Sequence, residues 1–365
     1  MPLAPSLPCF DAGGPDCPCP LGMAGKCTYC TRLRGEGDCR CAWSGTCILL
    51  TAPAAVNAAA ARGSGRSKER IAGHSGDDGA KSAPARPQRS LAVISSRRPA
   101  AGAHELWLAI PRGVAPRLAE PGRFVFLRPA GLDRAYDTPL AVAETRRRGL
   151  RVLFTIAGPK TQALAEVRAG DRLAWRGPYR AALLGLTRMR RRLGGRPGRL
   201  VVVGRGLAPA TSLPLIRRFA AVGWEVVALL DSGGAGGKLA LAEVGGAIGA
   251  AGRTESIACY TKPGAAALRR TVAAAGPLPV VASYGTEVLH RWVGRVLADL
   301  RREEAAAGGS PPIWLASNDC LMTCGEGTCG ACGMRLPGGE RWRGCKADTP
   351  PELLFGSAAN WRDDE

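Results

Sequence analysis

Thirteen of the fourteen cysteines lie in two short stretches at opposite ends of the chain, eight between residues 9 and 47 and five between 320 and 345. Crowding of this kind limits what those ends can become. A stretch of about fifty residues buries too little apolar surface to fold without a staple. Thiols packed this densely serve as disulfides or as metal ligands. The chain shows no basic, then apolar, then small-residue succession of a secretory signal. The expectation is therefore a cytoplasmic protein whose clustered thiolates bind metal. The three histidines, His74, His104 and His290, fall outside both clusters, so any metal site there is nearly all sulfur. Cys259 stands alone and reads as a small buried hydrophobe.

The C-terminal spacing is Cys324-x4-Cys329-x2-Cys332-x12-Cys345, which matches the plant-type 2Fe–2S pattern with its distant fourth cysteine. Gly325, Gly327, Gly330 and Gly333 are interleaved with these ligands. A loop that wraps a cluster and turns its backbone N–H groups toward sulfur needs residues without bulk that tolerate positive φ. Four cysteines also hold structural zinc, but zinc ribbons pair two CxxC knuckles and this segment has one. Cys320 is superfluous to the pattern, as a spare or a ligand swap.

The N-terminal set is Cys17, Cys19, Cys27, Cys30, Cys39, Cys41 and Cys47, with Cys9 ahead of them. Thiolate metal binding would supply the folding free energy of so small a module. The spacing is not the bacterial ferredoxin run. A second iron–sulfur centre, structural zinc and redox-active thiols all remain open, and spacing does not say which cysteines are ligands.

At 365 residues the chain has room for several cores, and no apolar run approaches a membrane span. Five segments are expected: a cysteine-rich metal-binding module at 1–50, a flexible linker at 51–88 poor in large apolar residues, a β-rich domain at 89–190, an α/β domain at 198–308 and a cluster domain at 312–350. In the β-rich part, short apolar or alternating runs at Leu91–Ile94, Leu106–Ile110, Phe124–Leu127, Leu150–Ile156 and Leu173–Trp175 suggest an antiparallel barrel or sandwich. Beyond residue 199 the period changes. Continuous apolar strands at Leu200–Val203, Glu225–Leu230 and Pro279–Ala282 alternate with helical stretches, as in a parallel α/β sheet.

The net charge is +20 with only seven lysines among fifty basic residues. Arginine spread along the whole chain argues for a basic surface, or for docking of an acidic redox partner, over a nucleic-acid face. The densest run, Arg188 to Arg199, reads as a solvated loop.

Between the two cysteine clusters, weak motifs follow one another in a definite order. Tyr136-Asp137-Thr138-Pro139-Leu140-Ala141-Val142 lies at a strand. Gly158-Pro159-Lys160-Thr161 opens a short helix whose first N–H groups would suit a phosphate or serve as an ordinary cap. Gly204-x-Gly206-Leu207-Ala208-Pro209 follows a buried strand, and Asp231 ends the next one.

With this order and the C-terminal motif, residues 90–350 resemble the electron-transfer subunits of dihydroorotate dehydrogenases, within the ferredoxin reductase superfamily. The resemblance implies an FAD-binding β-barrel, an NAD(P)-binding α/β domain and a C-terminal 2Fe–2S domain. Pro139, Leu140 and Ala141 would line the flavin ring, with Arg134 and Tyr136 as the remnant of an Arg-x-Tyr pattern. Gly158, Lys160 and Thr161 would hold the FAD pyrophosphate. Gly204, Gly206 and Pro209 would shape the nicotinamide site, with Asp231 on a ribose hydroxyl or serving as a plain turn residue. The sequence departs from the family at Thr138 and Ala141, at Arg205 inside the glycine turn, and at Ser283-Tyr284-Gly285 in place of a Cys-Gly-Pro-type strand end. The implied activity is an NAD(P)H-linked oxidoreductase component that exchanges electrons with a partner oxidoreductase subunit. The competing expectation is a non-catalytic iron–sulfur sensor or adaptor with a degenerate nicotinamide site.

Overall fold

The computed structural model describes residues 89–132, 136–193, 198–276, 279–306, 311–320, 322, 325, 332–335 and 341–356. The expected cysteine module at 1–50 and linker at 51–88, and with them Cys17, Cys19, Cys27, Cys30, Cys39, Cys41 and Cys47, lie outside these residues, as do Arg134, Cys324 and Cys329.

Six strands form the first unit: β1 Arg89–Ala100, β2 Ala103–Ala109, β3 Phe124–Pro129, β4 Thr138–Arg146, β5 Gly149–Phe154 and β6 Arg172–Tyr179. They close into a barrel in the order β1-β2-β5-β4-β3-β6, with every pairing antiparallel. Closure removes both free edges, which separates the barrel from the sandwich that the strand spacing also allowed. Alternation fills its interior. Along β5, Leu150, Val152 and Phe154 join the barrel core while Arg151 and Leu153 face out. The Leu118 and Leu164 side chains, from the short helices α1 (Ala115–Leu118) and α2 (Pro159–Ala165), complete that core.

The second unit is a six-stranded sheet built from β7 Leu183–Leu184, β8 Arg199–Arg205, β9 Glu225–Asp231, β10 Gly252–Ser256, β11 Val280–Tyr284 and β12 Ile313–Ser317, in the order β10-β9-β8-β11-β12-β7. All neighbours are parallel except β7, which runs antiparallel to β12. Its central strands are continuously apolar because both faces are covered. Leu200 and Val202 pack beneath α3 (Leu186–Arg192), α4 (Leu213–Ala220) and α5 (Gly237–Ile248). Val201 and Val203 pack against α6 (Lys262–Ala273), α7 (Glu287–Ala306) and α8 (Glu352–Phe355). Among the described residues no helix is long and apolar enough to cross a membrane.

One expectation is corrected here. The arginine run from 188 is not a loop throughout: Arg188 to Arg192 lie in α3, Arg188 pairs with Glu352 at 2.9 Å, and Arg199 sits in β8 bonded to Glu225. The run reads as loop only because the contacts that order it lie far away in sequence.

The two units meet across a buried ion cluster. Arg151, on the outer face of β5, donates to Glu105 of β2 at 2.6 Å and to both oxygens of Glu243 in α5 at 2.7 and 2.6 Å. The forked carboxylate pair holds the guanidinium charged, its pKa raised well above the usual arginine value. Beside it Ala143 and Leu153 of the barrel pack on Leu207, Ala210 and Ala240 of the sheet unit. A two-stranded ribbon, β13 Gly333–Arg335 and β14 Arg341–Arg343, completes the described chain.

Candidate functional site

On the barrel, the residues expected at a flavin ring lie at the start of β4, which pairs with β3 through Phe126↔Pro139, Val125↔Leu140 and Phe124↔Ala141. The pleat divides the trio. Leu140 turns into the barrel core, whereas Pro139 and Ala141 lie half-buried on the other face. Leu140 therefore offers a ligand only its backbone.

Just before Pro139, Asp137 is buried and accepts from two arginines. Arg128 Nη1 is 3.1 Å from Oδ1, and Arg176 donates to Oδ2 through Nη2 at 2.6 Å and Nε at 2.9 Å. Arg176 also lies over the Phe126 ring, 4.5 Å from its centroid, and donates to the Tyr179 hydroxyl at 3.0 Å. Sequence reasoning missed this cluster because its members sit on β3, on β6 and just ahead of β4, and meet only when the barrel closes.

The helix α2 brings the next expected group to the same place. Lys160 Nζ reaches the carbonyl of Asp137 at 3.4 Å. Thr161, in contrast, spends its hydroxyl on the helix end. It accepts from the N–H groups of Ala157 at 2.8 Å and Gly158 at 3.2 Å, and donates to Gly158 O at 3.0 Å. Nothing lies within 4 Å of where a side chain at Gly158 would begin, so the space in front of this turn is open. Lys160 and the open turn fit a phosphate-bearing ligand; Thr161 shapes the turn.

In the sheet unit the expected nucleotide residues gather at the carboxyl ends of β8 and β9. Ligands of open α/β sheets sit in the crevice at this edge, where strand order reverses, and here that point lies between β8 and β11. A Cβ on Gly204 would collide with Pro209 and come within 2.8 Å of the Tyr284 carbonyl, so glycine is what lets the 3-10 turn Ala208–Ser212 press against β8 where it pairs with β11. Gly206 takes φ +66°. Asp231 is already engaged: Oδ1 accepts from Gly233 N at 2.7 Å, and Oδ2 from Cys259 N at 3.0 Å and Arg205 Nε at 3.3 Å. Arg205 thus folds back over Asp231 and the Tyr260 ring, 5.7 Å from its centroid. Cys259 is buried, and desolvation first, then Asp231, pushes its thiol up to about 12.

Behind the β11 end lies a second group that the sequence did not signal. Ser283 Oγ is 2.8 Å from His290 Nδ1, and Ser317 Oγ is 3.2 Å from Nε2. Trp314 Nε1 donates to Ser283 at 3.0 Å, and Gly285 N donates to Ser317 at 3.2 Å. Burial pulls the His290 pKa down to about 4, so the ring is neutral.

Of the four C-terminal cysteines, Cys332 and Cys345 are described. Their sulfurs are 3.3 Å apart, and both are buried. This separation is far beyond a disulfide bond of about 2.05 Å and is a contact that two thiolates tolerate as ligands of one metal centre. Gly344 N donates to Cys332 O at 3.0 Å and holds the two turns together. Among the described residues no group of three or more His, Cys, Asp or Glu converges on a metal position. The pair rests on the barrel, since Phe124, Phe126, Tyr179, Ala181, Met322, Cys332 and Cys345 form one apolar cluster. The donor chemistry fits a thiolate-bound metal centre.

No family model and no curated protein sequence matches the chain. Among solved structures, it is similar to one of an NADH-dependent reduced ferredoxin-NADP oxidoreductase studied for flavin-based electron bifurcation, at 18% identity over 74% of this chain and 94% of that one, TM-score 0.49. Phthalate dioxygenase reductase is similar at 12% identity over 72% and 96% of the two chains, TM-score 0.43. A ferredoxin NADP+ reductase from Neisseria gonorrhoeae with bound FAD and NADP is similar at 13% identity over 58% and 91%, TM-score 0.41.

Proposed function

We propose that this chain is an electron-transfer flavoprotein subunit of the ferredoxin reductase type, similar to the subunits that serve dihydroorotate dehydrogenases. It would pass electrons between NAD(P)H, FAD and a 2Fe–2S cluster, to or from a partner oxidoreductase. The observation that carries this reading is the seating of the Cys332–Cys345 pair on the barrel wall at Phe126 and Tyr179, one residue layer from Arg176, Asp137 and the Pro139 strand. The cysteine pair shares its apolar cluster with Phe126 and Tyr179, and Arg176, which lies over Phe126 and bonds Tyr179, also bonds Asp137 beside the Pro139 strand, an arrangement suited to electron exchange.

FAD, when bound, converts a two-electron hydride into single electrons, and the cluster carries them one at a time. The chain's own residues position these groups. Pro139 and Ala141 offer a surface to the flavin ring, together with the Leu140 backbone, Tyr136 and Arg134. Lys160 and the Gly158 turn, closed by Thr161, meet the pyrophosphate. Gly204, Gly206 and Pro209 form the floor of the nicotinamide crevice, and Asp231 keeps Arg205 folded at its rim. Cys324 and Cys329 complete the ligand set with Cys332 and Cys345. The N-terminal cysteines would hold a further iron–sulfur cluster or zinc.

The test is to purify the full chain anaerobically, measure iron, zinc, sulfide and flavin per chain, and add NADH or NADPH while recording the visible spectrum. Bound flavin that bleaches together with the cluster bands is expected. A cluster without flavin, or flavin indifferent to both nucleotides, refutes the proposal. A chain starting at residue 88 should keep the flavin and one 2Fe–2S cluster while losing the metal held by the N-terminal cysteines.

A further inference from the structure

We infer that Asn318 is the positioning residue that fixes the cysteine segment on the barrel, and thereby sets the separation across which electrons pass. The inference rests on the proposed function for what passes between the sites; the seat itself is observed.

Asn318 follows β12 and is a junction of four chain segments. Its Nδ2 donates to Ala181 O and to Gly344 O, each at 2.7 Å, and its Oδ1 accepts from Cys320 N at 3.2 Å. Its own N–H donates to Ala182 O at 3.0 Å. Ala181 and Ala182 are where the chain leaves the barrel after β6. Gly344 immediately precedes Cys345, and Cys320 leads into the cysteine loop. One amide side chain therefore ties the barrel exit, the sheet exit and both ends of the cysteine segment. The partners also settle its orientation, because two carbonyls on one side and an N–H on the other admit only one assignment of oxygen and nitrogen.

Two glycines show how close the fit is. A Cβ on Gly344 would overlap Cys320 Sγ and lie 2.9 Å from the Trp342 ring. At Gly325, where φ is +70°, a Cβ would stand 2.5 Å from Phe126 and 2.9 Å from Tyr179. The residue beside Cys324 thus lies flush on the aromatic wall, with no room for one methyl group. Packing can press the segment against the barrel, but directional bonds are needed to fix its register, and Asn318 supplies them.

With both groups bound, the step that depends on this seat would be the transfer of one electron from reduced flavin to the oxidised cluster, one ferric iron becoming ferrous and the flavin's proton going to solvent. Such a transfer slows as the gap between donor and acceptor widens, so loss of the seat would be read in that step alone.

The experiment compares the full chain, carrying both groups, with N318D and N318S. N318D keeps the shape but sets a carboxylate against two carbonyl oxygens. Rapid mixing with NAD(P)H follows flavin and cluster absorbance separately, and hydrogen exchange follows the Cys320 and Gly344 amides. In N318D we expect iron content and flavin reduction rate as in the parent, cluster reduction slower by several-fold, and faster exchange at both amides. Cluster reduction at the parent rate in N318D overturns the inference, as does equal slowing of both steps. Should N318D lose its iron, N318S decides, since it removes the two bonds to the Ala181 and Gly344 carbonyls without adding a charge: slowed cluster reduction with faster amide exchange supports the inference, and parent behaviour in both overturns it. Failure of the parent chain itself to bind flavin or respond to either nucleotide refutes the proposed function instead. The exchange comparison then still decides whether Asn318 holds the segment.

Discussion

His290 shows how much a single neutral ring can organise. If Ser283 accepts from Trp314 and gives its own proton to Nδ1, then Nε2–H donates to Ser317, and every polar atom in the group is satisfied. What disfavours the protonated ring is the loss of its hydration on burial. The pKa of about 4 lies below the unfolded value of about 6.5, so the unfolded chain binds the extra proton first. Stability from this group is complete above pH 6.5 and is lost as pH falls toward 4. The full effect is about 3 kcal/mol, and roughly 2 kcal/mol is gone by pH 5. Urea midpoints at pH 7.5 and pH 5 should differ by less in H290L than in the parent. Equal differences would show that the ring does not titrate with folding. His104, whose pKa is lowered by burial and then by Arg98, pushes in the same direction, which is why the variant comparison is needed. None of this was legible in the sequence. Ser283 could be recognised only as a departure from a cysteine-bearing strand end, because its partners come from another helix and the next strand.

Elements were readable where burial imposed a period. The barrel strands and β8, β9 and β11 fall close to the expected runs, since alternation or unbroken apolarity follows directly from having one or two covered faces. The elements that escaped notice lack that imprint. The strand β10, Gly-Arg-Thr-Glu-Ser, is an edge strand with no buried residue, and α5 contains Gly245 and Gly246. The helix α3 escaped for another reason. Its first turn is capped from far downstream, where Asp348 accepts from Gly185 N at 2.6 Å and Thr187 N at 2.7 Å, a favourable place for a carboxylate. D348A strands a buried N–H and should cost about 2 kcal/mol, seen as a lower urea midpoint with faster amide exchange at Gly185 and Thr187. An unchanged midpoint would mean that α3 stands without its cap. The site residues followed the same rule. Cys332 and Cys345, singled out by their spacing, do meet in the fold, whereas the grouping of Asp137 with Arg128 and Arg176 needed the closed barrel to be in place.

At the scale of the whole molecule, the positive charge has a different meaning from the one its total suggests. Several arginines are interior clamps: Arg151 joins barrel to sheet, and Arg128 and Arg176 close around Asp137. A total of +20 therefore overstates the basic surface left for a partner, and charge counting alone has no means of telling a clamp from a docking face.

The short pairing of β7 with β12 bears on inheritance and on engineering. Strand β7 belongs to the chain that has just left the barrel, and β12 to the chain about to enter the cysteine segment; they are joined through Ala316↔Leu184 and Ser317↔Leu183. The cysteine-bearing tail is therefore no interchangeable cassette that recombination at residue 312 could add or remove. A chain ended at residue 311 would strip β12 from the sheet, expose one side of β11 and orphan β7, leaving an open apolar edge of the kind that recruits other chains. We expect that product to accumulate as aggregate, by size-exclusion chromatography, and recovery of a soluble monomer would show that the tail is separable after all. Residues 313–317, which open the expected cluster segment, are in the fold a strand of the neighbouring sheet.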